Sequence, residues 1–313
     1  MQFGICLPIA DAGVAHAAGF DFVEPTVRSL SPLDPDFDAI RAPFDSAPLP
    51  TPVFNVFVPS EVPVTGPKVN WEQVESYLEA AIGRVAAVGG EKIVFGSGGA
   101  RNVPDGFDKE EAFTQLVRFL RLAGNVAVRN GVTIVIEPLN SRDSNIITSV
   151  AEGMALARET AHLRVRLLAD LYHMMEDDEP LENITTCAAW IEHVHVADTH
   201  RVAPGEGSYP YEEFFRRLHE GGYSGRISIE CRWDNLAAQA GPAGEYLDAC
   251  GKRQNDTERT WFCHPRRGDG GGVPPECDPG VRRSGRAPGG GRALQPSPLR
   301  GDFAAFRCAG PLL

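Results

Sequence analysis

Short apolar runs recur along the first 250 positions, and longer stretches between them return an apolar residue every three or four positions. The short runs predict strands at Phe3–Cys6, Phe22–Glu24, Val53–Val58, Lys92–Gly96, Thr133–Glu137, Val165–Asp170, His193–Ala197 and Arg226–Glu230. The periodic stretches predict amphipathic helices. Trp71–Val88 places Val74, Tyr77, Leu78 and Ile82 on one face, and Glu110–Asn130 does the same with Phe113, Leu116, Val117, Leu120 and Leu122. Shorter helices are expected at Ser149–Thr160, Tyr211–Glu220 and Leu236–Ala249, the last covering the eighth strand. Glycines at Gly19 and Gly131 stand where helix C-caps would feed buried strands. Alternating strands and crossover helices give a parallel sheet, and eight strands is the number of a (β/α)8 barrel. An open doubly wound sheet competes, but the first strand leads into Leu7-Pro-Ile-Ala-Asp-Ala-Gly13 and not into a glycine-rich dinucleotide fingerprint.

Composition divides the chain near residue 250. Residues 251–313 hold 12 Gly and 8 Pro, and the charge balance flips from −17 in the first 250 residues to +5 in the remainder. Residues 1–249 therefore read as the barrel. Residues 250–313 read as a disordered tail, because a stretch without strand or helix period cannot bury enough apolar surface to offset its ordering entropy. The seven cysteines form no CxxC pair and read as reduced thiols. A net charge of −12 argues against nucleic acid and against a basic membrane surface as partners. No long uncharged apolar run and no signal-peptide start is present, so a cytoplasmic protein is expected.

Four of the strand-like runs end in side chains of ligand type: Glu137, Asp170, His195 and Glu230, spaced 33, 25 and 35 residues apart. Successive parallel strands would bring all four to one end of the sheet. Taken alone, Glu137 before Pro138 reads as a solvated loop residue, and one of the alternating pair His193 and His195 as a hydrogen-bonded core histidine. Taken as a series, three carboxylates and an imidazole at one place call for a divalent cation to neutralise them. Glu24, ending strand two, and Asn55, in strand three, are candidates for the pocket wall or for hydrogen bonding at the barrel mouth.

The segments Val135-Ile-Glu137-Pro-Leu-Asn140, Asp170-Leu-Tyr-His173-Met, His193-Val-His195-Val-Ala-Asp198 with Arg201, and Ser228-Ile-Glu230 together resemble the xylose isomerase-like TIM barrels. The branch they are most similar to holds D-tagatose 3-epimerase-type and hydroxypyruvate isomerase-type sugar isomerases and epimerases. The resemblance covers about residues 1–249. It implies that Glu137, Asp170, His195 and Glu230 ligate one divalent metal, that Glu137 and Glu230 exchange the substrate proton through a cis-enediolate, and that His173 and Arg201 contact substrate oxygens. His195 is taken as the ligand over His193 because it stands six residues before Arg201, the spacing of the family. Hard oxygen donors with one imidazole favour Mn²⁺ or Mg²⁺, with Co²⁺ or Zn²⁺ as substitutes. The implied partner is a small sugar or keto-acid substrate, and the resemblance is compatible with a homo-oligomer. Two readings stand beside the isomerase: a lyase or dehydratase acting on a keto-inositol or keto-glycoside with the same metal and base, and a barrel that binds without catalysing. Arg142 reads as an exposed loop arginine, with recognition of a carboxylate as the alternative. Asp198 and His200 read as loop residues, and Asp198 or Glu206 is the expected ion-pair partner of Arg201 in the absence of a substrate role. The related apurinic-site endonucleases need histidines on strands two to four, and those strands contain none here.

Overall fold

The computed structural model describes residues 1–253. Eight parallel strands are laid down in chain order: β1 Gln2–Cys6, β2 Phe22–Glu24, β3 Val53–Phe54, β4 Lys92–Phe95, β5 Thr133–Ile136, β6 Val165–Asp170, β7 Ile191–Val196 and β8 Arg226–Ile229. Their hydrogen-bonded order is β2-β1-β8-β7-β6-β5-β4-β3. An isolated parallel bridge from Thr26 to Asn55 closes the ring, fixed by Val27 N–H to Asn55 O at 2.8 Å and Asn55 N–H to Pro25 O at 3.0 Å. The helices are α1 Ala12–Ala17, α2 Phe37–Asp45, α3 Trp71–Ala87, α4 Gly98–Arg101, α5 Lys109–Asn130, α6 Val150–Thr160, α7 Leu171–Glu176, α8 Glu182–Thr186, α9 Tyr211–Glu220 and α10 Leu236–Arg253.

The period of two along each strand sorts side chains between the ring of helices and the barrel interior. Ile134 and Ile136 of β5 join the large helix–sheet core, whereas Phe22, Val53, Val94, Val135 and Leu168 form a separate apolar cluster contributed by β2 to β6. Gly4 of β1 makes room for it, since a Cβ there would lie 2.2 Å from the Phe22 ring. Two residues further along the same strand faces come Glu24, Asn55, Gly96, Glu137 and Asp170. A plug of hydrocarbon thus fills one level of the barrel, and a polar ring occupies the level above it, at the C-terminal ends of the strands.

Three expectations change. The run Val53–Val58 is strand only at Val53–Phe54, because Val56 takes a left-handed φ of 49° and turns the chain out of the sheet. The inward face of α5 is carried by Ala112, Leu116, Val117, Phe119, Leu120 and Ala123, with Phe113 and Leu122 only partly buried. The C-terminal helix continues to Arg253 and packs mainly on α1, α9 and β1. The tail was expected from residue 250, but residues 250–253 continue the helix; the rest of it, from residue 254 onward, lies outside the described residues. Among the described residues no helix is long and apolar enough to cross a membrane.

Candidate active site

Strand ends set the positions of the polar ring, and the turns that follow orient it. Asp170 ends β6 and also caps α7: its Oδ1 accepts from the backbone N–H groups of Tyr172 at 2.7 Å and His173 at 3.3 Å. The other oxygen, Oδ2, is left facing the barrel axis, 4.0 Å from His195 Nδ1. Glu137 Oε1 stands 3.1 Å and Glu230 Oε2 3.8 Å from the same nitrogen. One ligand atom from each of Glu137, Asp170, His195 and Glu230 lies within 4.8 Å of all the others. Gly96 permits this crowding, since a Cβ at that position would fall 2.1 Å from Glu137 Oε2.

The tautomer of His195 follows from its other partner. Its Nε2–H donates to Glu24 Oε1 at 2.8 Å, which turns Nδ1 into the carboxylate group, where it either carries a proton toward Glu137 Oε1 at 3.1 Å or, in the neutral ring, offers a lone pair to a cation. Glu24 Oε2 accepts from His193 Nε2 at 2.9 Å and from Ser228 Oγ at 2.5 Å. His193 is therefore the hydrogen-bonded core histidine, one level below. Burial by itself would raise the Glu24 carboxyl, but the neighbouring His195 and His193 hold it well below the usual carboxylate range. Burial likewise opposes charge on His195, yet the carboxylates of Glu24 and Glu137 push its pKa well above the usual imidazole value. Glu230 is pushed up to about 7 by burial and by the charge of Glu137, against the opposing pull of His195 and Arg201. Burial and mutual repulsion thus set the acids of this cluster against one another. A donor set of three carboxylate oxygens and one imidazole nitrogen fits a divalent metal ion.

Around this cluster the remaining candidates take distinct places. His173 Nδ1 accepts from the backbone N–H of Asn140 at 3.1 Å, which puts the ring proton on Nε2, the nitrogen 3.9 Å from Asp170 Oδ2. Arg201 does not pair with Asp198 or Glu206: it is ion-paired with Glu230 and lies over the Tyr172 ring at 4.9 Å. Consecutive left-handed residues, His200 at φ 61° and Arg201 at φ 64°, turn the chain at this point. Asp198 organises that loop by accepting from the N–H groups of Thr199, Gly205 and Tyr209. Arg142 is exposed and paired with Glu176. Asn55 Nδ2 approaches Glu230 Oε1 at 3.4 Å. A cavity of about 780 Å³ opens over the cluster, lined by Glu137, His173, Arg201 and Glu230 on one side.

Two residues here escape the sequence reading. Cys6, ending β1, comes within the same 4.8 Å of Glu24 and His195, and burial together with the surrounding carboxylates raises its pKa and keeps the thiol neutral. Arg101 is wholly buried. Its Nη1 donates to Phe95 O at 2.9 Å and Glu137 O at 2.8 Å, and its Nη2 to Ile147 O at 3.3 Å. It ties the ends of β4 and β5 together directly behind the Glu137 carboxylate.

A sequence model described as xylose isomerase-like TIM barrel matches residues 13–251. Among curated proteins, 3-dehydro-D-guloside 4-epimerase of Escherichia coli (strain K12) is 31% identical over 131 residues, which is 42% of this chain and 48% of that protein. Hydroxypyruvate isomerase of the same strain is 29% identical over 163 residues, 51% of this chain and 62% of its own length. Each of these matches thus spans less than two thirds of the relative. Among solved structures, 3-keto-D-glucoside 4-epimerase from E. coli superposes with a TM-score of 0.68 at 22% identity, covering 80% of this chain and 100% of that one. D-allulose 3-epimerase from Methylomonas sp. gives 0.72 at 20% identity, with 80% and 98% covered. At such identities the structural likeness establishes the fold.

Proposed function

Because the chain belongs to the xylose isomerase-like TIM barrel family, we propose that it is a divalent-metal-dependent isomerase or epimerase acting on a ketose or small hydroxy-keto compound. In this reading Glu137, Asp170, His195 and Glu230 hold one ion, Mn²⁺ or Mg²⁺ by preference. When bound, the ion supplies Lewis-acid stabilisation for negative charge developing on the substrate oxygens. The proton itself is moved by side chains. Glu137 and Glu230 stand on β5 and β8, reach the same cavity from different sides of the barrel, and can remove a proton from one carbon and return it to the neighbouring carbon or to the opposite face. His173, with its proton on Nε2, donates to a substrate oxygen, and Arg201 steadies Glu230 from the rim.

The single observation that carries this reading is the convergence of four ligand atoms within 4.8 Å at the floor of the cavity. Lower in the barrel the interior is apolar, so evolution of a purely structural core gives no reason for three carboxylates to meet there. Incubation with Mn²⁺ and ketoses in D₂O, followed by NMR, is expected to show deuterium entering one carbon adjacent to the carbonyl. Glu137→Gln is expected to lower that rate by about 10²-fold or more. A Glu137→Gln protein that exchanges at the unmodified rate would refute the assignment.

A further inference from the structure

Cys6 closes β1 as Glu24 closes β2, and the two stand opposite one another in the parallel register. It shares a strand face with Gly4, the residue that makes room for the Phe22 ring in the barrel interior, so the half-buried thiol belongs to the polar ring. Its Sγ, one oxygen of Glu24 and one nitrogen of His195 lie within 4.8 Å of one another. A sulfur, an imidazole nitrogen and a carboxylate oxygen are the donors that Zn²⁺ takes. Donors on a tetrahedral Zn²⁺ stand about 3.5 Å apart, so this set closes on an ion with shifts of about an ångström. Glu24 joins it without leaving its place: Oε2 stays held by His193 Nε2 at 2.9 Å and Ser228 Oγ at 2.5 Å, and only Oε1 exchanges its bond to His195 for the ion. Burial and the carboxylates of Glu24, Glu230, Glu137 and Asp170 keep the free thiol neutral. Those same carboxylates attract a divalent cation, on which the thiol coordinates as a thiolate and gives its proton to solvent.

His195 belongs to this set and to the four-residue set as well. Its Nε2 faces Glu24 Oε1 at 2.8 Å, and its Nδ1 faces Glu137 Oε1 at 3.1 Å. A neutral imidazole has one lone pair in the ring plane and one N–H. Giving Nε2 to an ion beside Cys6 therefore leaves the proton on Nδ1, pointed at Glu137, with nothing to offer an ion there. Softness sorts the occupants, since a thiolate selects zinc-like ions whereas manganese and magnesium prefer oxygen.

We propose that Cys6, Glu24 and His195 form a second cation site, selective for a thiophilic divalent ion such as Zn²⁺ or Cd²⁺, and that an ion bound there excludes Mn²⁺ from Glu137, Asp170, His195 and Glu230. The thiolate site stands independently of the reaction proposed above; the exclusion rests on the metal centre of that reading.

The test titrates Cd²⁺ into the Mn²⁺-loaded full chain, reading the ultraviolet charge-transfer band of a thiolate–Cd²⁺ bond and counting released Mn²⁺ by electron paramagnetic resonance. The expected result is a saturable band that grows in step with the release of one Mn²⁺ per chain. Cys6→Ala, checked for folding by circular dichroism, is expected to lose that band and to need at least about tenfold more Cd²⁺ to release Mn²⁺. Cys6→Ser, which keeps the size of the side chain, is expected to behave in the same way. Chelator-stripped Asp170→Asn is expected to keep the Cd²⁺ band, which separates the thiolate site from the other set even if the unmodified chain binds no Mn²⁺. A band unchanged in both Cys6 variants arises from other thiols and overturns the site. A Cys6-dependent band that saturates with Mn²⁺ still bound overturns the exclusion.

Discussion

Glu24 fixes two imidazoles at once, and it does so from a strand of three residues, Phe22–Glu24. Replacing it by Gln removes the charge that holds the Nε2 proton of His195, so Glu24→Gln is expected to weaken Mn²⁺ binding about 10–100-fold with the far-UV circular dichroism unchanged. Unchanged affinity would contradict the orienting role. The sequence offered the signal for this residue, because Phe22-Val-Glu24 repeats the pattern of an apolar strand closed by a carboxylate that singled out Glu137 and Glu230. It did not offer one for Arg101, since an arginine after Gly98-Gly-Ala reads as a loop cation and only the fold reveals that three carbonyls surround it. Burial lowers its pKa to about 10, still far above neutrality. Arg101→Met leaves those carbonyls without a donor and is expected to cost about 3 kcal/mol in urea unfolding. Arg101→Lys is expected to recover only part of that loss, because an ammonium cannot reproduce the planar fork.

Elements were legible where a full strand or a long helix repeats its pattern. Phe22–Glu24, Val165–Asp170 and Tyr211–Glu220 have the boundaries read from the sequence, and Trp71–Ala87 differs by one residue. They were less legible where the backbone departs from the conformation its residues prefer. Val53-Phe-Asn-Val-Phe-Val58 is rich in strand-forming residues, yet it leaves the sheet at Val56, where the backbone is left-handed and Phe57 beyond it is held by Val94 O and Tyr77 Oη. β1 and β8 pair over four residues from Gln2 to Ile5, and the seam with a single bridge lies between β2 and β3. Two glycines in the helical framework test the helix reading in opposite directions. Gly131, the C-cap of α5, has φ 72°, so Gly131→Ala is expected to destabilise by about 1 kcal/mol. Gly83, inside α3, has nothing within 4 Å of the position a Cβ would take, so Gly83→Ala is expected to stabilise by a comparable ~1 kcal/mol. Thermal or urea melts of the pair check both signs.

At the scale of the whole molecule, the barrel separates stability from chemistry by height. Phe22, Val53, Val94, Val135 and Leu168 pack the lower interior, and the acidic ring lies above them, where burial and the charge of Glu137 push Glu230 up to about 7. Metal that binds only the folded state should then stabilise the protein by about 2.7 kcal/mol at a hundredfold excess over Kd. For a domain of this size that corresponds to a melting temperature roughly 5–10 °C higher than after chelation, readable by calorimetry. The most direct test is an equilibrium titration of chelator-stripped protein with Mn²⁺, counting free ion by electron paramagnetic resonance, in the unmodified chain and in Asp170→Asn and His195→Gln. One ion bound per chain, with affinity lost in both variants, is the predicted result. No saturable site, or a site that survives both substitutions, would contradict the central claim that these four strand-end residues form a metal centre.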